Sequence, residues 1–93
     1  MIINISTAGA LTWSLPSGKD TVEGERFTVQ DVLNALVTKY GLSMAEEMLE
    51  QGELKKGLSL LVNGRNVLSL PDNFQTSLED GDEVVIATML AGG

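Results

Sequence analysis

The sequence predicts an α+β fold, a sheet of four to five strands with its main helix packed on one face. Three observations predict it. One strongly amphipathic helical stretch, "FTVQDVLNALVTKYG", lies near the middle of the chain. Runs of β-branched and apolar residues bracket it on both sides, from "MIINIS" at the start to "EVVIATML" near the end. Two turn-forming dipeptides, Asn63-Gly64 and Asp80-Gly81, punctuate the second half. The implied element order is strand, strand, helix, a shorter helix, then strand, strand and a final strand. At 93 residues the chain is one domain, residues 1–93. A chain of this size buries roughly 60 to 65 % of its unfolded surface around a single core.

The elements follow in order. "MIINIS" alternates apolar and polar residues, and "LTWSL" follows beyond Gly9, so an opening hairpin is expected. "PSGKDTVEGE", from Pro16 to Glu25, mixes Pro16, Gly18 and Gly24 with charges and reads as a surface loop. In the central helix Val29, Val32, Leu33, Leu36, Val37 and Tyr40 recur at spacings of three and four, the stripe of a helix lying on a core. Thr28 stands at the N-cap with Asp31 three residues on as its capping-box partner, Phe27 is placed to staple against Val32, and Gly41 supplies the C-cap. In "SMAEEMLEQGELKKG", Ser43 and Glu46 occupy capping-box positions, Met44, Met48 and Leu49 share a side, and Gly52 ends or breaks the helix. Leu58 to Val62 then reads as a strand, Asn63-Gly64 as a hairpin turn because both residues tolerate positive φ, Val67 and Leu68 as the apolar run on its far side, and Glu83 to about Met89 as an apolar final strand centred on Val84, Val85 and Ile86.

Composition narrows the function. The chain has no Cys and no His, so it carries no disulfide, no thiolate nucleophile, and neither the usual general base nor the commonest metal ligand. No metal site is expected. Thirteen carboxylates against six cations, a net charge of −7, argue against a nucleic-acid ligand and favour a partner with a basic surface. The N-terminus lacks the basic flank and apolar core of a leader, and no apolar run approaches the roughly 20 residues that span a bilayer. A soluble, cytoplasmic protein with no membrane partner is expected.

A strand ending in Val62-Asn63-Gly64, then Thr76, Leu78, Asp80, Gly81, Asp82, Glu83 and Val84 in the pattern T-x-L-x-D-G-D-E-V, then a terminal Ala91-Gly92-Gly93, resembles the MoaD and ThiS sulfur-carrier proteins, and MoaD more closely. The resemblance implies the ubiquitin-like β-grasp fold, a mixed sheet with one main helix and a flexible Gly-Gly tail. It implies a carrier and not an enzyme: Gly93 is adenylated by a MoeB/ThiF-like adenylyltransferase using ATP, then converted to a thiocarboxylate. As small subunit beside a MoaE-like large subunit, such a carrier donates sulfur in molybdopterin biosynthesis for the molybdenum or tungsten cofactor. No cofactor is bound by the chain itself, and a donor protein must supply the sulfur. Where MoaD-like chains commonly place two prolines before the Ala-Gly-Gly, this one has Ala87, Thr88, Met89 and Leu90, which leaves the activating enzyme and the acceptor open.

The tail suits that role on physical grounds. Gly92 and Gly93 lack Cβ, so the thread is as thin as a peptide can be. The five residues from Met89 reach at most about 17 Å, enough to enter a partner's buried site while the body stays outside. Residues 89–93 are therefore read as an extended reactive tail, with Gly93 the reacting residue, Gly92 its thin neighbour, and Met89, Leu90 and Ala91 the partner-binding stretch. The competing readings are a frayed end, a ubiquitin-like modifier joined through Gly93 to lysines, a ThiS-like carrier for thiazole synthesis, and an interaction module with an inert tail. Glu79, Asp80, Asp82 and Glu83 either dock a basic groove or form a solvated turn. Glu46, Glu47, Glu50 and Glu53 read as a wet helix face, Met44 and Met48 as core, and Arg65 as an exposed side chain able to pair with a partner's carboxylate.

Overall fold

A computed structural model of the chain describes residues 1–8, 18–51 and 53–88. Seven strands and two helices appear among them: β1 (Ile2–Ala8), β2 (Lys19–Glu23), α1 (Val29–Tyr40), α2 (Leu42–Met48), β3 (Leu49–Glu50), β4 (Glu53–Leu54), β5 (Leu58–Val62), β6 (Arg65–Asn66) and β7 (Glu83–Thr88). Five of the strands form one mixed sheet in the order β2-β1-β7-β5-β6, and β3 and β4 make a separate two-residue ladder. The first and last strands run parallel at the centre, Asn4 beside Glu83 and Ala8 beside Ala87, while β5 flanks β7 antiparallel with Leu58 opposite Thr88. This is the ubiquitin-like β-grasp, with α1 across one face. None of the described helices is long and apolar enough to cross a membrane.

Strand alternation sorts the side chains. Ile3, Ile5, Leu60, Val62, Val84 and Ile86 are buried against the helix, and Ile2 on the other face is 44 % exposed. Val29, Val32, Leu33 and Leu36 of α1 meet them, with Val37 and Tyr40 partly buried at the margin. The predicted capping box is formed: Asp31 N–H donates to Thr28 Oγ1 at 3.2 Å and Thr28 N–H donates to Asp31 Oδ2 at 2.9 Å. Gly41 closes the helix at φ 84°, its N–H donating to the Val37 carbonyl at 2.7 Å. Positive φ is the reason for glycine there. Phe27 packs against the core, and Met48 is fully buried, as a core methionine should be.

Two expectations are corrected. The segment Pro16–Glu25 is not all loop, because Lys19–Glu23 is the strand that pairs with β1, Val22 opposite Ile3 and Asp20 opposite Ile5. Its alternation is disguised. On this edge strand only Val22 and Asp20 face the helix side, and one of the two is a carboxylate. The "LTWSL" segment expected to form that strand lies outside the described residues. The second helix starts at Leu42 with Gly41 as its N-cap and no side-chain cap, so Ser43 lies inside the helix and not at the N-cap expected of it. Gly41 serves two helices at once: its N–H ends α1, and its carbonyl accepts from Ala45 N–H at 3.3 Å to begin α2. That leaves no room for a separate cap at Ser43. The helix ends at Met48, and Leu49 pairs with Leu54 in the small ladder, with Gly52 outside the described residues.

Asp20 explains why a carboxylate can face the core side. Tyr40 Oη donates to Asp20 Oδ2, and Lys39 Nζ lies 2.8 Å from the same oxygen, so the last turn of α1 is tied to β2. The hydrogen bonds from Lys39 and then Tyr40 hold the Asp20 carboxyl below its ordinary value. Burial, and next the adjacent carboxylate, pushes the Tyr40 phenol up to about 12. The clamp is therefore complete at neutral pH. Asp20, with its lowered pKa, contributes stability present above the ordinary carboxylate value near pH 4 and lost as pH falls through its folded value. Tyr40, with its raised pKa, contributes stability present below its ordinary 10.0 and lost as pH rises toward about 12. Tyr40 is the sole tyrosine, so phenolate absorbance reads it alone. A midpoint near 12 is expected in the native chain, falling part of the way toward 10.0 in Asp20→Asn, because burial persists when the carboxylate is gone. An unshifted midpoint in Asp20→Asn would remove Asp20 from the clamp.

Candidate functional site

The chemistry expected of this chain is at the end of β7, and the fold sets where that end emerges. An interior strand held on both sides is the stiffest root available to a tail. Ala87 lies between Ala8 and Ser59, and Thr88 opposite Leu58 is the last paired residue. Gly93, Gly92, Ala91, Leu90 and Met89 all lie outside the described residues. What the structure places is the strand that delivers them, ending one residue before the predicted Met89.

The start of β7 is fixed by the acidic group. Asp80 Oδ1 accepts the Ile2 N–H at 2.7 Å, Gly81 N–H returns to the Ile2 carbonyl at 2.8 Å, and Asn4 N–H reaches the Asp82 carbonyl at 2.9 Å. Asp82 Oδ2 accepts from Glu79 N–H at 2.8 Å and closes its own turn, with Gly81 at φ 87°. Of the four carboxylates read as a docking group or a turn, Asp80 and Asp82 are committed to backbone donors, while Glu79 and Glu83 are exposed.

Asn63 completes the lock, and sequence reasoning gave it only half of its role. With Gly64 it forms the expected turn between Val62 and Arg65, at φ 50° and 86°, but the returning strand is only Arg65–Asn66, and Val67 and Leu68, expected to continue it, enter a 3-10 turn capped by Asn66 instead. Its amide also bridges strands. Nδ2 donates to Asp82 Oδ1 at 3.0 Å and Oδ1 accepts Glu83 N–H at 2.9 Å, while its own N–H donates to the Glu83 carbonyl at 2.9 Å. The signal was the choice of Asn at a position where Gly also satisfies the dihedral angles.

Among the described residues no polar or charged residue is buried, and no group of three or more carboxylates is placed to hold a metal ion. The two shifted ionisable groups, Asp20 and Tyr40, are consumed by the helix clamp. Arg65 is exposed on β6. Glu46 is exposed on α2, as read, but Glu50 and Glu53 are not on a helix face: α2 ends at Met48, and exposed Glu50 of β3 pairs with Glu53 of β4, while the side chains of Met44, Glu47 and Glu53 are outside what the structure describes.

The model of the ThiS family matches residues 13–93. A small archaeal modifier protein 3 of Haloferax volcanii is 42 % identical over 66 residues, 71 % of this chain and 70 % of the relative. A candidate sulfur carrier protein of Archaeoglobus fulgidus is 32 % identical over 80 residues, 86 % of this chain and 90 % of the relative. Among solved structures, SAMP1 of Haloferax volcanii shares the fold over the whole of both chains at a TM-score of 0.75 and 23 % identity. A chain from the complex of subunits 1 and 2 of the molybdopterin-converting factor of Helicobacter pylori does so over the whole of both chains at 0.64 and 16 % identity.

If the Asn63 side chain anchors β7, Asn63→Gly keeps the turn and loses two hydrogen bonds, at a cost of about 1–2 kcal/mol in urea unfolding. Asn63→Ala should cost about 1 kcal/mol more, since a Cβ at positive φ adds backbone strain. A neutral Asn63→Gly would show that the turn geometry alone aligns the strand.

Proposed function

The chain belongs to the ThiS family of ubiquitin-like carriers and modifiers, small proteins that are not enzymes, and on that premise we propose that it works through the carboxylate of Gly93. A carboxylate is a poor electrophile. An ATP-dependent adenylyltransferase joins it to AMP with release of pyrophosphate, and a sulfide equivalent from a donor protein displaces AMP to leave a Gly93 thiocarboxylate. The chain has no Cys, so the sulfur cannot originate on it. The observation that carries this reading is the position of β7: the last described strand is central, locked at its start by Asn63 and Asp82, and its final residue Thr88 directly precedes the five residues that carry the chemistry. Such a body contributes position, and its partners contribute the reacting groups.

The sulfur acceptor we propose is a pterin precursor, with this chain as MoaD-like small subunit beside a MoaE-like large subunit. The shared fold of the Helicobacter pylori converting-factor complex and the "T-x-L-x-D-G-D-E-V" pattern support that choice. The relative from Haloferax volcanii named as a modifier favours a second reading, in which activated Gly93 is joined to lysine amines of target proteins. Both begin with the same adenylate.

With its activating enzyme and ATP the chain should support pyrophosphate exchange, and removing Gly93 or adding one residue after it should abolish the exchange with circular dichroism unchanged. Exchange that survives a blocked terminus would rule out the tail mechanism. Intact mass spectrometry of protein from its native host separates the two fates: a species heavier by one oxygen-to-sulfur exchange marks the carrier. Lysines branched with a Gly92-Gly93 remnant, without that species, mark the modifier.

A further inference from the structure

A cleft of about 730 Å³ lies along the outer side of β5, and its chemistry is opposite to that of the rest of the surface. The edge strand β6 pairs only with Leu61 and Val62, so Leu58, Ser59 and Leu60 have no described strand beyond them. The 3-10 turn Val67–Ser69 stands there instead. Asn66 caps it, its Oδ1 accepting Leu68 N–H at 2.9 Å, which sends Val67 into the core and leaves Leu68 69 % exposed. Leu58, Leu68 and Phe74 give the cleft an apolar wall, and Lys55 and Lys56 are its charged residues.

The charge distribution is the telling feature. The chain has thirteen carboxylates and six cations, yet two adjacent lysines line this cleft and no Asp or Glu does among the described residues. Both lysines are exposed. Neither has a carboxylate partner among the described side chains, and Lys55 Nζ has only the Glu46 carbonyl at 3.4 Å. A cleft whose described charged residues are two lysines, on so acidic a surface, is suited to a ligand that brings carboxylates. An uncovered strand flanked by leucines and Phe74 is suited to an extended peptide with apolar side chains.

We propose that this cleft docks an extended segment of a partner protein in which apolar and acidic residues alternate. The wall residue Leu58 is paired with Thr88, the last residue of β7, so the segment would be held beside the root of the tail. The partner's identity as the protein that acts on Gly93 rests on the carrier reading above; the docking chemistry does not. The general expectation of a basic partner surface, drawn from net charge, is reversed at this one place.

The test uses the full chain, 15N-labelled, titrated with a hexapeptide of alternating valine and glutamate capped at both ends. Saturable shifts are expected at millimolar peptide in the amides of Lys55 to Leu60 and Asn66 to Leu68, and a valine–lysine hexapeptide should produce none. Lys55→Glu with Lys56→Glu should weaken binding about tenfold, as expected for two exposed charges reversed. Leu68→Ser should weaken it independently, and the exposure of all three residues keeps these variants folded. No saturation at millimolar peptide, an equal response to the lysine peptide, or unchanged affinity in the double variant would overturn the proposal. So would shifts of the Asn66 to Leu68 amides, which do not pair with β7, on deletion of residues 89–93 without any peptide, which would give the cleft to the chain's own tail. Gly93 is not read in this titration, so its failure is distinct from a failure of pyrophosphate exchange.

Discussion

The parallel pairing of β1 with β7 is the constraint on which the rest of the molecule depends. Two parallel neighbours cannot be joined by a tight turn. Here the first and last strands are the neighbours, so the chain between them must add its strands outside this pair and cross one face of the sheet to return to the middle. That requirement puts α1 across one face, sends β2 to one edge and β5 with β6 to the other, and makes the final strand the middle of the sheet. The pairing is secured where it begins. Ile2 and Asn4 of the first strand exchange hydrogen bonds with Asp80, Gly81 and Asp82 just before the last, so the register is set before β7 starts.

Carboxylates are used as structural ligands to an unusual degree for so acidic a surface. Asp31 caps a helix, Asp80 and Asp82 cap strand backbone, and Asp20 takes a phenol and an ammonium at the end of α1. Each replaces water at a donor that the fold would otherwise leave to solvent, and as a largely exposed contact each of the three caps is worth about 1 kcal/mol or less. The remaining acids, such as Glu79 and Glu83, stay exposed and give the surface its charge. This division explains how the described body can carry its charge and still bury no polar or charged residue.

The elements most legible in the sequence were those whose signals are local. The stripe and capping box of α1 are written within thirteen residues from Thr28 to Tyr40, and Asn63-Gly64 specifies its turn through dihedral preference alone. Long-range compensation hid the rest. Asp20 makes β2 look polar because its partners, Lys39 and Tyr40, come from the far end of α1. Gly41 displaces the cap expected at Ser43 by serving both helices, which no pattern within either helix reveals. At the candidate site, the approach to β7 was legible as "LEDGDEV", but the bridge from Asn63 to Asp82 joins residues nineteen apart in the sequence. The tail itself, Met89 to Gly93, was read from chain chemistry alone.

The direction of β7 also sets how the body answers a mechanical load. Because β7 runs parallel to β1, tension between the tail and the N-terminal strand slides the two past each other along their length instead of peeling them apart. All five of their register pairs, from Asn4–Glu83 to Ala8–Ala87, then resist together, and β5 grips the other side of the same strand. Shear of this kind has no first bond to open. A pull on the tail against the N-terminal strand is therefore met by a strand paired on both sides, and the load is spread over the register pairs instead of falling on the outermost one.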